Sequence, residues 1–271
     1  MERSRREKDS SMHNLLDDYA HGNALRDVSP SLKLLFGLGA ILLCVSSPAP
    51  AAPLFVAVTM SLAILILAKI PWRFYLRLLL VPLSFALVSA AVVAFMQGAG
   101  QELFSFHLSG ITFAIRESGA NLAGLLMART FGGMCSLFFI SLTTPMIEIF
   151  ASLKSLQIPS SVIELSMMIY RYIFVFLDQA ASIHSAQVMR LGDCRIRNSL
   201  SSFAMLASVL FLRSWEQGER LIVAMDSRCY DGRLDLMDQG EKATSGQILA
   251  VAAYLISALA IAVLAGGAFL Y

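Results

Sequence analysis

Residues 145–242 read PMIEIFASLKSLQIPSSVIELSMMIYRYIFVFLDQAASIHSAQVMRLGDCRIRNSLSSFAMLASVLFLRSWEQGERLIVAMDSRCYDGRLDLMDQGEK. This polar, arginine-bearing stretch separates four charge-poor apolar runs from one last apolar run. It carries two similar short motifs, Met189-Arg190-Leu191-Gly192 and Asp226-Ser227-Arg228-Cys229-Tyr230. A simple membrane anchor has no use for so long a polar-faced insertion before its final span. A membrane subunit that grips a soluble partner does.

Composition sets the class. Hydrophobic residues make up 57% of the chain and charged residues 15%, with a mean hydropathy of +0.68. Soluble domains average about 45–50% apolar and about 25% charged. The apolar runs are too long and continuous for the alternating strands of an outer-membrane barrel. The expected fold class is therefore an all-α integral membrane protein. It has about five transmembrane helices and a cytosolic three-helix domain inserted before the last span. A net charge of only +2 gives a nucleic-acid partner no electrostatic support. The four cysteines, Cys44, Cys135, Cys194 and Cys229, contain no Cys-x-x-Cys pair, and the first two lie in apolar runs as small hydrophobes.

Working outward, residues 1–30 read as a polar cytosolic tail, 31–144 as transmembrane helices 1–4, 145–242 as the cytosolic domain and 243–271 as the last span. Spans are expected over 32–46, 54–68, 74–96, 120–142 and 247–270. Pro48, Pro50 and Pro53 separate the first two, because proline lacks the amide donor and clashes with the preceding turn; they form either a tight hairpin or one kinked element. The run 34–45 with Ser47-Pro48-Ala49 imitates a signal peptide, but its leader is too long and a second span follows at once, so it reads as retained helix. The loop 97–118 leaves room for a partial re-entrant or interfacial element over 103–115.

Basic residues set the orientation. Arg3, Arg5, Arg6 and Lys8 place the N-terminus in the cytoplasm, and Lys69, Arg73 and Arg77 mark the second inner link. The C-terminus is then outside, and the expected location is the bacterial inner (cytoplasmic) membrane. In the cytosolic stretch, helices are expected over 145–156, 161–191 and 199–229. Ser161 and Glu164 have the spacing of a capping box. Glu216 and Arg220 pair across one turn, and Gly232 stops the third helix.

No Gly-x4-Gly-Lys-Ser/Thr loop is present, so this chain does not hold ATP through a P-loop. The four histidines are scattered and offer no local metal site. No nucleophile triad or carboxylate pair stands out, which excludes most enzyme classes. Arg129, the lone charge of the fourth span, reads as an interior structural group, since a charge in the membrane usually faces protein.

The two arginine motifs carry the signal. Taken singly, each arginine suits the negative end of a helix dipole. Taken together, two helix ends with fixed guanidiniums can dock into two acidic grooves, for which arginine's planar, permanently charged fork is suited. Arg195 and Arg197 add charge beside the first motif, toward either lipid headgroups or a partner.

On these residues the chain resembles the transmembrane T component of energy-coupling-factor (ECF) transporters, of the cobalt/nickel type called CbiQ. The resemblance covers nearly the whole chain. It runs from Asp18-Tyr19, Pro30 and Lys33 through Thr143-Thr144-Pro145, Ile158-Pro159 and Met168-Ile169-Tyr170-Arg171-Tyr172, and on to Arg190-Leu191-Gly192 and Ala224–Gly232. The family's paired Ala-Arg-Gly signatures stand here as Met189-Arg190-Leu191 and Ser227-Arg228-Cys229; both arginines are kept, the alanines and glycines are not. The resemblance implies a non-catalytic permease subunit that couples to ATPases through Met189, Arg190, Leu191, Gly192, Ser227, Arg228 and Cys229. It implies partnership with two ABC ATPase subunits, a substrate-binding CbiM/NikM-like S component and a small CbiN-like subunit. ATP and magnesium would sit on the partners, with no cofactor on this chain, and the cargo would be cobalt or nickel ions. A vitamin-type substrate subunit and a stand-alone carrier are the rival readings; the carrier needs polar residues lining several spans, whereas four of the five are almost wholly apolar.

Overall fold

A computed structural model describes residues 28–96, 102–108, 111–153, 158–192, 194–230 and 244–269. The chain divides into two compact units, one of residues 1–149 with 240–271 and the other of residues 150–239. The first unit begins with α1 (Pro30–Ser46) and α2 (Ala51–Leu62). α2 runs on through a π-helical turn, Ala63–Leu67. α3 (Trp72–Met96) and α4 (Glu117–Thr143) follow, with α8 (Ser245–Phe269) at the far end of the chain; the short α5 (Met146–Leu153) straddles the division after residue 149. The second unit is built on α6 (Ser160–Met189) and α7 (Ile196–Asp226).

The helical membrane architecture is the one the sequence predicts, with one addition. Between α3 and α4 lie two antiparallel strands, β1 (Glu102–Leu108) and β2 (Ile111–Arg116), with Phe106 opposite Phe113 and a register shift between Glu102 and Phe104. Among the described residues four helices are long and apolar enough to cross a membrane: 72–95, 118–143, 160–189 and 245–266. α1 and α2 are shorter apolar helices. The tail up to residue 27, the far end of the helix expected over 145–156, and Gly232 lie outside the described residues.

α1 and α2 form an antiparallel hairpin. Cys44 Sγ and the Pro53 carbonyl oxygen, equally far along the chain from the Ser47–Pro50 turn, both face Gly132 and so lie at one level, and Phe36 and Phe55 both pack on the ring of Tyr254, with centroids 4.9 and 6.0 Å away. Pro53 sits in the first turn of α2 rather than ahead of it, where its missing N–H would have no helical acceptor anyway. α3 continues through Pro82, and α4 is the central helix. Its Cys135, Phe139 and Leu142 join Cys44, Val56, Met60 and Ile64 in the buried core.

Small residues allow the helices to approach. A Cβ on Gly132 would lie 2.7 Å from Cys44 Sγ and 2.7 Å from the Pro53 carbonyl oxygen, and one on Gly39 would press on Leu255. Close approach through small residues is how helices gain contact where apolar burial supplies no net drive. The outward faces carry exposed Leu42, Val58, Leu80, Phe85 and Val263, as lipid-facing surface requires.

Several polar groups inside this unit are paired. Arg129 directs Nε and Nη2 to the Ser47 carbonyl at 3.1 and 2.6 Å, capping the end of α1 and supporting its structural reading. Ser61 Oγ, Tyr75 Oη and Cys135 Sγ bond one another across α2, α3 and α4. Lys33, 3% exposed, donates to the Thr143 carbonyl at 3.4 Å, a cation at the negative end of α4.

Candidate functional site

Two helices of 30 and 31 residues form the second unit, and both end in the same backbone closure. At the end of α6, Arg190 N–H donates to Gln187 O (3.1 Å), Leu191 N–H to Val188 O (3.0 Å) and Gly192 N–H to Gln187 O (3.0 Å). At the end of α7, Arg228 N–H donates to Met225 O (2.9 Å), Cys229 N–H to Asp226 O (3.0 Å) and Tyr230 N–H to Met225 O (3.1 Å). Leu191 and Cys229 hold φ of 60° and 56°. The pairing of a 6→1 and a 5→2 bond around one left-handed residue is the Schellman closure. In both copies the residue just before the left-handed one is an arginine, and both arginines are exposed.

The left-handed position is where glycine is at ease and a side chain is strained by about 1–2 kcal/mol. Leucine and cysteine occupy it here without altering the bond pattern. We expect Leu191→Gly to leave thermal unfolding of the second unit unchanged or slightly later. Leu191→Val, β-branched at positive φ, should advance it, at a cost of about 1–3 kcal/mol. A Leu191→Gly chain that unfolds earlier than the wild type, or a Leu191→Val chain that unfolds no earlier, would refute this account.

Side chains fix both ends of the helix pair. At the elbow, Gln187 Nε2 donates to Ser202 O (2.9 Å) and Ser202 Oγ to Gly192 O (3.3 Å). A Cβ on Gly192 would come within 2.6 Å of Ser202 Oγ. At the other end, Tyr230 Oη donates to Glu164 Oε2 (3.0 Å). Glu164, 5% exposed, is therefore not half of a capping box. α6 starts at Ser160 after Pro159, with no side-chain cap bond; Ser161 is already inside the helix, and the carboxylate serves a partner 66 residues away.

Arg190 stands just before α7 begins and Arg228 just after it ends. The arginines are thus separated by the length of α7, about 45 Å at 1.5 Å per residue. Between the helices runs an apolar groove lined by Met168, Tyr172 and Phe176 on α6 and by Gly218 and Leu221 on α7. Around Arg190, Met189 is 85% and Leu191 71% exposed. α7 buries none of its residues, and leaves Phe203, Phe211 and Trp215 exposed. Glu216 and Arg220 approach to 3.6 Å on its surface.

The structure thus gives Met189, Arg190, Leu191 and Gly192 one helix end, and Ser227, Arg228 and Cys229 its copy. Sequence reading missed Gln187, Ser202 and the Glu164–Tyr230 tie. The duplicated closure left one legible trace, the equal offset of each arginine from a helix end.

Comparison with known proteins bears on this arrangement. A family model described as cobalt transport protein, CbiQ, matches residues 21–238. The chain is 47% identical, over 90% of its length, to a putative fused cobalt transport protein CbiMQ of Methanocorpusculum labreanum, and spans 41% of that longer protein. It is 29% identical to the cobalt transport protein CbiQ of Rhodobacter capsulatus, over 88% of this chain and 91% of the relative. It is 28% identical to the energy-coupling factor transporter transmembrane protein EcfT of Ruminiclostridium cellulolyticum, over 66% and 67% of the two.

Proposed function

The chain belongs to the CbiQ family of cobalt transport proteins, and from that premise we propose that it is the transmembrane coupling subunit of an ECF-type importer for cobalt or nickel ions. It is a multi-pass membrane protein and a non-catalytic part of the transporter. Two ATP-hydrolysing subunits hold Arg190 and Arg228, one each. A CbiM-like subunit, helped by a small CbiN-like one, captures the ion, and α6 and α7 carry the motion of the ATPases to it. In this reading 145–242 faces the cytoplasm, the N-terminus lies there too, the C-terminus lies outside, and the bilayer is the cytoplasmic membrane.

The observation that carries the proposal is the duplicated closure. Two exposed guanidiniums, presented by the same backbone geometry about 45 Å apart, suit two copies of one kind of groove better than a single large one. α6 is apolar enough to span a bilayer, but its exposed Leu165, Ile169 and Ile173 suit the apolar surface of a partner equally well. A stand-alone carrier fits less well. The polar groups Ser61, Tyr75, Cys135 and Arg129 bond within the first unit instead of lining a path.

Co-expressed with the ATPase and metal-binding subunits of the same transporter, the tagged chain should bring down both, with two ATPases per copy. A chain that purifies alone under these conditions, or that transports metal in vesicles without any ATPase, would overturn the proposal.

A further inference from the structure

The link between α2 and α3 carries a feature that coupling to ATPases does not use. α2 ends through Lys69 (φ 54°), left-handed like Leu191 and Cys229, closed by an Ile70 N–H bond to Ile64 O of 3.4 Å. The closure buries Ala68 and Ile70 and leaves Lys69 outside. Pro71 and Trp72 then start α3, and Arg73 and Arg77 follow on consecutive turns, both exposed. The Arg73 guanidinium lies 5.6 Å from the Trp72 ring centre, and Trp72 is itself exposed. Among the described residues no carboxylate pairs with Lys69, Arg73 or Arg77. Three cations gathered within nine residues are thus left without a counter-charge.

Their position says what supplies it. Tyr75 packs edge-on against Phe138 of α4, and Lys33 reaches Thr143, so the basic cluster lies toward the end of the bundle where α4 finishes and α1 begins. Along α3, positions 73, 76, 77, 80, 84 and 87 fall on one helical stripe. That stripe carries exposed Leu76 between the arginines and exposed Leu80 and Leu87 beyond them. A tryptophan at a membrane boundary, cations beside it and an apolar column leading away match an amphiphile with an anionic head. A soluble anion would have no use for the column.

We propose that Lys69, Trp72, Arg73 and Arg77 hold the headgroup of an anionic phospholipid whose acyl chains lie along Leu76, Leu80 and Leu87. Arginine gives the phosphate a bidentate fork, and Lys69 adds a second point of charge.

The test uses the full chain in neutral detergent, with phosphatidylglycerol, phosphatidylcholine or inorganic phosphate added, read by native mass spectrometry and thermal unfolding. The wild-type chain should retain phosphatidylglycerol at least about tenfold more tightly than phosphatidylcholine. K69Q/R73Q/R77Q should lose that preference while binding phosphatidylcholine as before. R73K/R77K, which keeps the charge, should fall between them. If the triple variant does not fold, the wild-type preference and its partial loss in R73K/R77K decide the matter. Equal retention of both lipids by the wild-type chain, or undiminished phosphatidylglycerol binding by the triple variant, would sink the proposal. Stabilisation by inorganic phosphate equal to that by the lipid would replace it with a free-anion site. A preference that the isolated chain shows and the assembled complex loses would assign the cations to an acidic partner instead.

Discussion

Arg190→Glu, and separately Arg228→Glu, should each abolish metal uptake, by about a hundredfold or more, while the chain still inserts and folds. Both side chains are exposed at the ends of long helices, and the closures around them are made of backbone bonds, so the fold does not depend on either charge. The proposed docking does. Removing one member of a buried, hydrogen-bonded charge pair costs about 2–5 kcal/mol, and placing like charges together adds several more. A hundredfold is only about 2.8 kcal/mol at 1.4 kcal/mol per tenfold, so either reversal is sufficient. Because the arginines are about 45 Å apart, one reversal should release one ATPase and leave the other attached, a stoichiometry that quantified pull-downs can read. Arg→Lys at either position should give an intermediate loss, since lysine keeps the charge and loses the fork. Normal uptake by both charge-reversed chains would remove the basis of the coupling proposal.

Gly132→Val should prevent the first unit from packing, whereas Gly133→Val should do almost nothing. The two glycines are adjacent in α4 and differ only in what they face. The first meets Cys44 Sγ and the backbone oxygen of Pro53; the second has nothing within 4 Å of its Cβ position. A cysteine side chain can rotate away, but a helical carbonyl cannot move without shifting α2. Overpacking of this kind costs about 1–3 kcal/mol and more where backbone must give. We expect Gly132→Val to lose most of its yield in detergent and to unfold well below the wild-type temperature. A Gly132→Val chain as stable as its Gly133→Val neighbour would show that α2 is not held where it is described.

This pair also marks what a sequence discloses. The apolar runs foretold where α3, α4 and α8 begin and end to within about three residues, because hydropathy acts locally. The arginines at the ends of α6 and α7 were legible because polarity and position along a long helix are both local facts. Gly132 and Gly133 were indistinguishable, since the difference lies on another helix. Glu164 was assigned to Ser161, which is near in sequence, and belongs to Tyr230, which is not. The strands 102–108 and 111–116 lay in a segment read as loop with room for an interfacial element; their backbone pairing is a relation that no single run of residues displays.

The α1–α2 hairpin carries a last implication. Its two helices have 17 residues each, counting the π-helical turn, or about 25 Å of length, against a hydrocarbon slab of about 30 Å. Acyl chains beside it have to compress to meet it, and each ångström of such mismatch has a cost. A second membrane protein with equally short segments would share one dimple with it instead of making another. The bilayer itself would then draw the two together before any side chain touches, and a thinner membrane should weaken that attraction.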